Sequence, residues 1–295
     1  MNLSMTGELA NRFTSSSKKA GNVTEAWGAD NFYCPNCSSP KLDWLKPGTK
    51  ANDYRCPHCQ FWFQLKSQKK PIGTTITDGA YGAMMEAIQE DRAPNFFFLH
   101  YDRTNWTVRN LLLIPHFAFP PSAIIKRKPL SVTARRAGWV GCNFALNRIP
   151  LEARIPVITE KQILPAAEVR AKFQKVKPLQ QLSVQQRGWT LDVLNLIRRL
   201  TEEKRQRAGA LQDASRNPKV VNERISVLEC GGPPPLSPAT DHLEFTNADL
   251  YTYAPELEKL HPDNRHVKDK IRQQLQVLRD TGLLQHLAPA LWRLP

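Results

Sequence analysis

The sequence predicts a mixed α/β (α+β) domain with a four-cysteine zinc site, followed by a winged helix-turn-helix unit. Three observations predict it. Two Cys-x-x-Cys pairs are followed by the order strand, helix, strand, strand. After residue 180 the composition shifts to successive amphipathic helices and a short hairpin-like tail. Lys and Arg number 41 against 27 Asp and Glu, a net charge of +14, and the excess is unevenly spread.

Taken in order, residues 8 to 27 read as helical, with a polar "TSSSKK" face. Strand-like runs lie at 60–66, 95–101 ("NFFFLHY") and 105–114 ("NWTVRNLLLI"). Between the first two, "DGAYGAMMEAIQED" reads as a helix capped by Asp78, with Ala83, Met84 and Ile88 toward a core. "TLDVLNLIRRL" at 190–200 is amphipathic, with Val193, Leu194, Ile197 and Leu200 on one face. Residues 206–243 are polar and then Pro-rich, and read as a linker or long excursion. From Phe245 two more helical patterns and the tail complete a winged helix. The expected domains are therefore 1–184 and 185–295, the second carrying an insertion at about 201–244.

With 295 residues, 41% of them hydrophobic and 23% charged, the chain is expected to fold. No apolar run reaches the length of a membrane span, and "MNLSMTGELANRF" lacks the apolar core of a signal peptide, so a cytoplasmic protein is expected. Between Asp102 and Glu152 there is no acid, while the interval holds Arg103, Arg109, Lys126, Arg127, Lys128, Arg135, Arg136 and Arg148, with Trp106 and Trp139 among them. A one-sign interval interleaved with aromatics has the character of a nucleic-acid footprint; the plainer reading is a solvated basic face.

Cys34-x-x-Cys37 and Cys56-x-x-Cys59 stand eighteen residues apart. Four thiolates at that spacing complete a tetrahedral zinc site with no open position, which makes the zinc structural. Two disulfides are the competing reading, disfavoured in a reducing compartment. Cys142 and Cys230 have no partner at ligand spacing and read as ordinary thiols.

The second knuckle can close a hairpin. Pairing centred between residues 57 and 58 puts Asp53 opposite Trp62, on one face with Trp62, Gln64 and Lys66, while Phe61, Phe63 and Leu65 point into the core. Asp53 and Gln64 are then diagonal neighbours able to reach one Mg²⁺, with Lys66 beside them. Such a set suits phosphodiester hydrolysis: the oxygens hold the cation and the ammonium stabilises developing charge. The competing reading is a surface hairpin whose polar face meets water.

Asp53, ten residues, then Gln64-Leu65-Lys66 resembles the PD-(D/E)XK nuclease core. The runs "YCPNC", "LKSQKK", "DGAYGAMM", "NFFFLHY", "KRKPLSVTARRAGWVGCN", "QRGWTLDVLNLI" and "HVKDKIRQQLQVLRD" resemble the DpnI type of restriction endonuclease over nearly the whole chain apart from about 201–244. That resemblance implies a PD-(D/E)XK domain with a zinc site joined to a winged helix, and blunt Mg²⁺-dependent cleavage of double-stranded DNA within GATC when its adenines carry N6-methyl groups. It also implies a monomer in a bacterial cytoplasm. Gln64 stands where the family pattern has Glu. A Gln carbonyl can ligate Mg²⁺, but with one negative charge less. Glu8 or Glu25 is the candidate supporting carboxylate.

A buried methyl contributes about 0.8 kcal/mol, near fourfold in binding, so two give roughly sixteenfold. An apolar pocket alone is too weak a reader, which favours a requirement that both domains agree. In the first domain Trp139 is the candidate methyl wall, or else a core or hinge aromatic, with Arg135 and Arg136 on phosphate or guanine edges and Lys126, Arg127 and Lys128 as further DNA-binding candidates. In the second, helix 266–280 turns Val267, Ile271, Leu275 and Leu278 inward, and Arg265, His266, Asp269, Arg272, Gln273 and Gln276 outward. Two functions stay open: a methyladenine-directed endonuclease, or a non-cleaving methylated-DNA regulator that Gln64 has disarmed. An RNA-binding zinc protein is the weaker third, since a winged helix suits duplex DNA.

Overall fold

A seven-stranded mixed sheet organises the larger part of the chain. The computed structural model describes residues 1–45, 52–216 and 244–295, of 209–216 the backbone alone. Two compact units result, Met1–Asn195 and Leu196–Pro295. The first begins with a 3-10 turn, Gly7–Arg12, and helix α1 (Ser16–Asn31). Strands β1 (Asp43–Trp44), β2 (Tyr54–Arg55), β3 (Trp62–Gln68) and β4 (Thr75–Ala80) follow, then helix α2 (Tyr81–Gln89). Next come β5 (Asn95–Asp102), β6 (Thr107–Ile114), β7 (Ile124–Lys126), β8 (Gly141–Ala145), β9 (Ile155–Thr159) and β10 (Gln162–Ile163). Helix α3 (Ala166–Val176) and the first residues of the long α4 (Val184–Arg216), up to Asn195, close this part.

The large sheet has the order β1-β2-β3-β5-β6-β9-β10. All its neighbours are antiparallel except β3 and β5, which run parallel and are joined by the crossover through β4 and α2. A smaller antiparallel sheet, β4-β8-β7, contains the strands that flank residues 127–140.

Alternation along β3 and β5 sends side chains to two aromatic layers. On one side Phe63 stacks on Phe97 (5.5 Å), which stacks on Phe32 (4.2 Å), and Phe32 meets Trp27 and Tyr54 edge-on. Helix α1 lies against this layer. It comes so close that a Cβ on Gly28 would sit 2.7 Å from the Phe32 ring. On the other side Phe96 and Phe98 pack against Phe144 at 4.9 and 5.6 Å, within a core that includes Ile76, Met84, Ile88 and Ile124 from the smaller sheet and α2. The start of α4 belongs to the first unit: Arg187 pairs with Asp91, and Ser122 Oγ donates to Asp192 at 2.6 Å.

The second unit contains β11 (Glu244–Thr246), α5 (Asn247–Tyr251), α6 (Ala254–Leu260), α7 (Val267–Asp280), β12 (Gln285–Ala288) and β13 (Leu291–Arg293). The three strands form one sheet in the order β11-β13-β12, the wing of a winged helix. Thr246 and Asp249 form a reciprocal capping box at α5. The buried side of α7 carries Val267, Ile271, Leu275 and Leu278 as expected, with Gln274 added. Among the described residues no helix is long and apolar enough to cross a membrane.

Several expectations change. The expected helix over 8–27 is a 3-10 turn followed by α1, which runs on to Asn31. The helix expected over 190–200 extends to Arg216, so the expected excursion does not begin at 206; its remainder, 217–243, with Cys230 and "CGGPPPLSPATD", lies outside the described residues. Asp78 does not cap α2. The cap position is Ala80, and Asp78 sits in β4. With the helix beginning later, Ala83 is exposed, while Met84 and Ile88 are buried. Phe61 is half-buried, edge-on to His116 at 5.6 Å, rather than in the core.

The hairpin register also differs. Tyr54 pairs with Phe63 and Arg55 with Trp62, so Asp53 is not opposite Trp62. The turn is longer than the knuckle, because Gln60 takes a left-handed conformation (φ 64°) and Cys56 N–H donates to Phe61 O at 2.9 Å. The shift is an even number of residues, so the faces are kept: Phe63 and Leu65 are buried, whereas Trp62 is exposed and Gln64 and Lys66 half-buried. Arg55 places its guanidinium 4.7 Å over the Trp62 ring.

The four cysteines form no disulfide, and their sulfurs all lie within 4.8 Å of one another. Cys34 and Cys59 are 3.5 Å apart, as are Cys37 and Cys56. A tetrahedron with bonds of about 2.3 Å separates its sulfurs by about 3.8 Å, so the cluster could hold a zinc ion. Burial pushes the Cys34 thiol up. At Cys56 burial is outweighed by the N–H groups of Cys59 and His58, which bring it to about 7 and favour the thiolate. Helix α3 clamps the first knuckle. Arg170 Nε donates to Cys34 O (3.0 Å) and Cys37 O (2.9 Å), and Gln174 donates to Asn36 O (2.8 Å). These bonds tie residues more than 130 positions apart to one small turn.

Cys56→Ser is therefore expected to lose bound zinc and the cooperative melting of the first unit, because metal binding and folding are coupled at such sites. Metal analysis and calorimetry check this. One zinc per chain with an unchanged melting curve would exclude the four-thiolate site.

Candidate active site and nucleic-acid-binding surfaces

Strand β3 carries Gln64 and Lys66 on the face it shares with Phe96 and Phe98 of β5. Asp53 immediately precedes β2. Its N–H donates to Phe63 O at 2.9 Å, and its Oδ2 accepts the N–H of Leu65 at 2.7 Å. The carboxylate therefore lies beside the Gln64–Leu65 peptide, nearer than the diagonal placement expected from a simple hairpin. Burial raises the Asp53 pKa, against the opposing pull of the Leu65 N–H and Lys66.

Of the two candidate supporting carboxylates, Glu25 is the one whose charge is coupled to Asp53. It comes from α1, which is docked on the sheet by two hydrogen bonds. Thr24 Oγ1 donates to Ser67 Oγ at 3.0 Å, and the Tyr54 hydroxyl donates to the backbone carbonyl of Glu25 at 2.7 Å. Burial, and then the nearby Asp53 carboxylate, push the Glu25 carboxyl up to about 7. Glu8 lies exposed in the first 3-10 turn. Two neighbouring carboxylates that are costly to ionise are relieved by a cation between them. The donor set, two carboxylates with an amide carbonyl to hand, is all oxygen and fits a hard divalent ion such as magnesium.

Lys66 is 23% exposed and forms an ion pair with Asp78, whose side chain is 3% exposed. Asp78 is the site residue that sequence reasoning missed. It arrives on β4 at the point where the β4–β8 register shifts, between Thr77 and Ala80. Cys142 on β8 lies 3.8 Å from Asp78 Oδ2. Burial, then the Asp78 charge, push that thiol up to about 12, so it stays protonated. No periodic pattern marks Asp78; its acid looked like a helix cap because α2 follows so closely.

The basic interval forms a long hairpin arm between β7 and β8. Arg127 N–H donates to Gly141 O (2.9 Å) and Leu130 N–H to Trp139 O (2.9 Å), so the arm is hydrogen-bonded toward its tip. Lys126, Arg127, Lys128, Arg135 and Arg136 are exposed, and none is ion-paired with a described carboxylate. The arm also exposes Leu130 and Val132, the latter at 93%. Trp139 is half-buried. Arg136 stacks 4.9 Å over its ring, and the ring's edge lies where a Cβ on Gly141 would meet it at 2.9 Å. Trp106, counted with these bases in the sequence, instead stacks on Tyr101 at 5.5 Å at the β5–β6 turn.

In the second unit Arg265, His266, Arg272, Gln273 and Gln276 are all exposed, the first two just before α7 and the others on its outer face. Arg272 is ion-paired with Asp269, and Lys270 donates to Gln273 Oε1 at 2.8 Å.

A carboxylate pair, an amide and a pinned ammonium at one site, with a basic arm in the same unit and a winged helix in the other, form a set suited to phosphodiester chemistry on duplex DNA. Residues 1–182 match the DpnI, Dam-replacing family, and residues 239–293 match the Dam-replacing HTH domain. The first match alone covers more than half of the chain. The chain thus belongs to the DpnI, Dam-replacing family of restriction endonucleases and carries that family's helix-turn-helix domain.

Proposed function

We propose that this protein is a methyl-directed endonuclease that hydrolyses double-stranded DNA at GATC sites bearing N6-methyladenine, with magnesium at the Glu25–Asp53 site and a structural zinc on the four cysteines. The observation that carries the reading is Asp53, which accepts the N–H of Leu65 between Gln64 and Lys66 and lies within electrostatic reach of Lys66 and Glu25, in a chain from a restriction endonuclease family. Residues 1–184 would do the cutting and 185–295 the second reading of the site.

Glu25, Asp53 and the Gln64 side-chain carbonyl would hold the magnesium, which when bound polarises a phosphate and lowers the pKa of water. Asp53 is held in its place by the Leu65 N–H, so its carboxylate needs little reorganisation. Lys66 donates to the phosphate oxygens and stabilises the negative charge that develops as the P–O bond breaks. The arm brings Lys126, Arg127, Lys128, Arg135 and Arg136 to the backbone, and Trp139 supplies an apolar wall for the methyls. In the second unit α7 offers Arg265, His266, Arg272, Gln273 and Gln276 to the major groove, where the N6-methyl projects. Two readers that must agree multiply a discrimination that methyl burial alone limits to roughly sixteenfold each.

A second reading, a methylated-DNA regulator that does not cut, is favoured by Gln64, which leaves the site one negative charge short. Incubation with Mg²⁺ and adenine-methylated or unmethylated plasmid separates the two: the nuclease fragments the methylated plasmid alone, and the regulator binds it intact.

Lys66→Ala is expected to reduce cutting by at least about 10²-fold, the scale of losing one transition-state donor. Binding to methylated duplex should stay near that of the parent. Full cutting by this variant removes Lys66 from the mechanism. Gln64→Glu is expected to lower the Mg²⁺ concentration for half-maximal activity, because it restores a ligand charge. A Mg²⁺ titration giving an unchanged or higher requirement shows that Gln64 is not a ligand.

A further inference from the structure

We propose that Asp78 is a positioning residue for Lys66: it holds the ammonium in its working place and keeps it out of the Glu25–Asp53 cation site. The inference rests on the reading of Lys66 as a catalytic group.

The argument starts from burial. A carboxylate that is 3% exposed needs a partner, and Asp78 has Lys66. The pairing is specific to the backbone around it. Asp78 occupies the stretch of β4 where pairing with β8 slips between Thr77 and Ala80. Such a bulge re-aims a side chain, here toward β3. Cys142, buried beside Asp78, fills the space on the β8 side with a weak donor and no competing charge.

Besides Asp78, Lys66 has Asp53 near enough for the carboxylate to feel the ammonium, and the Asp53 charge acts in turn on Glu25. A lysine on a flexible stem would otherwise settle between those two carboxylates, where it would neutralise them and compete with a divalent ion. The ion pair to Asp78 draws it away. The cation site stays open and the ammonium keeps one position.

The same geometry links the arm to the chemistry. Gly141 and Cys142 begin β8. Gly141 accepts the Arg127 N–H and pairs with Ala80, and Cys142 touches Asp78. Asp78 is therefore attached to the strand on which the arm's hairpin closes, and Lys66 takes its position from the sheet that carries the arm.

The test uses the full-length protein, Lys66→Ala, Asp78→Asn, Asp78→Glu, and the double variant Lys66→Ala with Asp78→Asn. Asp78→Asn keeps size and hydrogen bonding but removes the charge. It should cut methylated plasmid at least tenfold more slowly and need more Mg²⁺ for half-maximal rate, while its affinity for methylated duplex, read by fluorescence anisotropy, stays within twofold. Asp78→Glu, which retains the charge, should recover part of the rate. Melting curves give a readout apart from activity. Lys66→Ala leaves a buried carboxylate unpaired, so the double variant should melt higher than Lys66→Ala. Three results would overturn the proposal: parental cutting by Asp78→Asn, an unchanged Mg²⁺ requirement, or melting losses that simply add in the double variant. A parent protein that leaves methylated plasmid intact overturns the nuclease reading itself, and the proposal with it. If Asp78→Asn fails to fold, a slow but folded Asp78→Glu supports the proposal, and a fully active one overturns it.

Discussion

Beyond Trp62, strand β3 is covered on both faces, and the rest of the first unit follows from that constraint. Phe63 and Leu65 are committed to the layer under α1. Gln64 and Lys66 are committed to the layer of Phe96, Phe98 and the smaller sheet. A one-residue slip would exchange the two sets and bury an ammonium among phenylalanines. The register is held at the strand's start by the four-cysteine cluster, and that cluster is held in turn by Arg170 and Gln174 of α3. A residue late in the domain thus helps to set where the polar face of an early strand points.

The charges in the first unit are arranged in opposition. Glu25 and Asp53 are half-buried acids that burial pushes up, Glu25 further by the Asp53 charge. The arm between β7 and β8 carries five exposed bases without described acid partners, and attracts phosphate at long range. The ammonium of Lys66 is held by Asp78.

The second unit shows a similar division on a smaller scale. Its core is the inner side of α7 with the wing and the two short helices, fixed by the Thr246–Asp249 capping box and by Trp292 donating to Asn247 at 2.7 Å. The outer side of α7 keeps its polar groups in local pairs, Arg272 with Asp269 and Lys270 with Gln273. Exposed pairs of this kind are weak, so they orient the side chains only loosely. The stacking of Arg136 on Trp139 does the same for the arm.

Much was legible from local pattern. Cysteine spacing announced the cluster, alternation assigned the faces of β3 correctly even though the register was two residues off, and helical periodicity marked the inner side of α7. These features depend on residues within a few turns or one hairpin, where spacing and chemistry coincide. The sequence by itself therefore determined the family-like order of elements, the thiolate set and the Asp53, Gln64, Lys66 face. Tertiary structure alone decided which early acid joins Asp53, and that Asp78 pairs with Lys66 rather than capping α2. It also decided that α4 continues past Leu200 and that Trp106 stacks on Tyr101. The physical reason is the same for both acids. Glu25 is brought in by docking of α1 on the sheet, and Asp78 by a bulge in a second sheet, and neither is encoded by the spacing of the residues that meet.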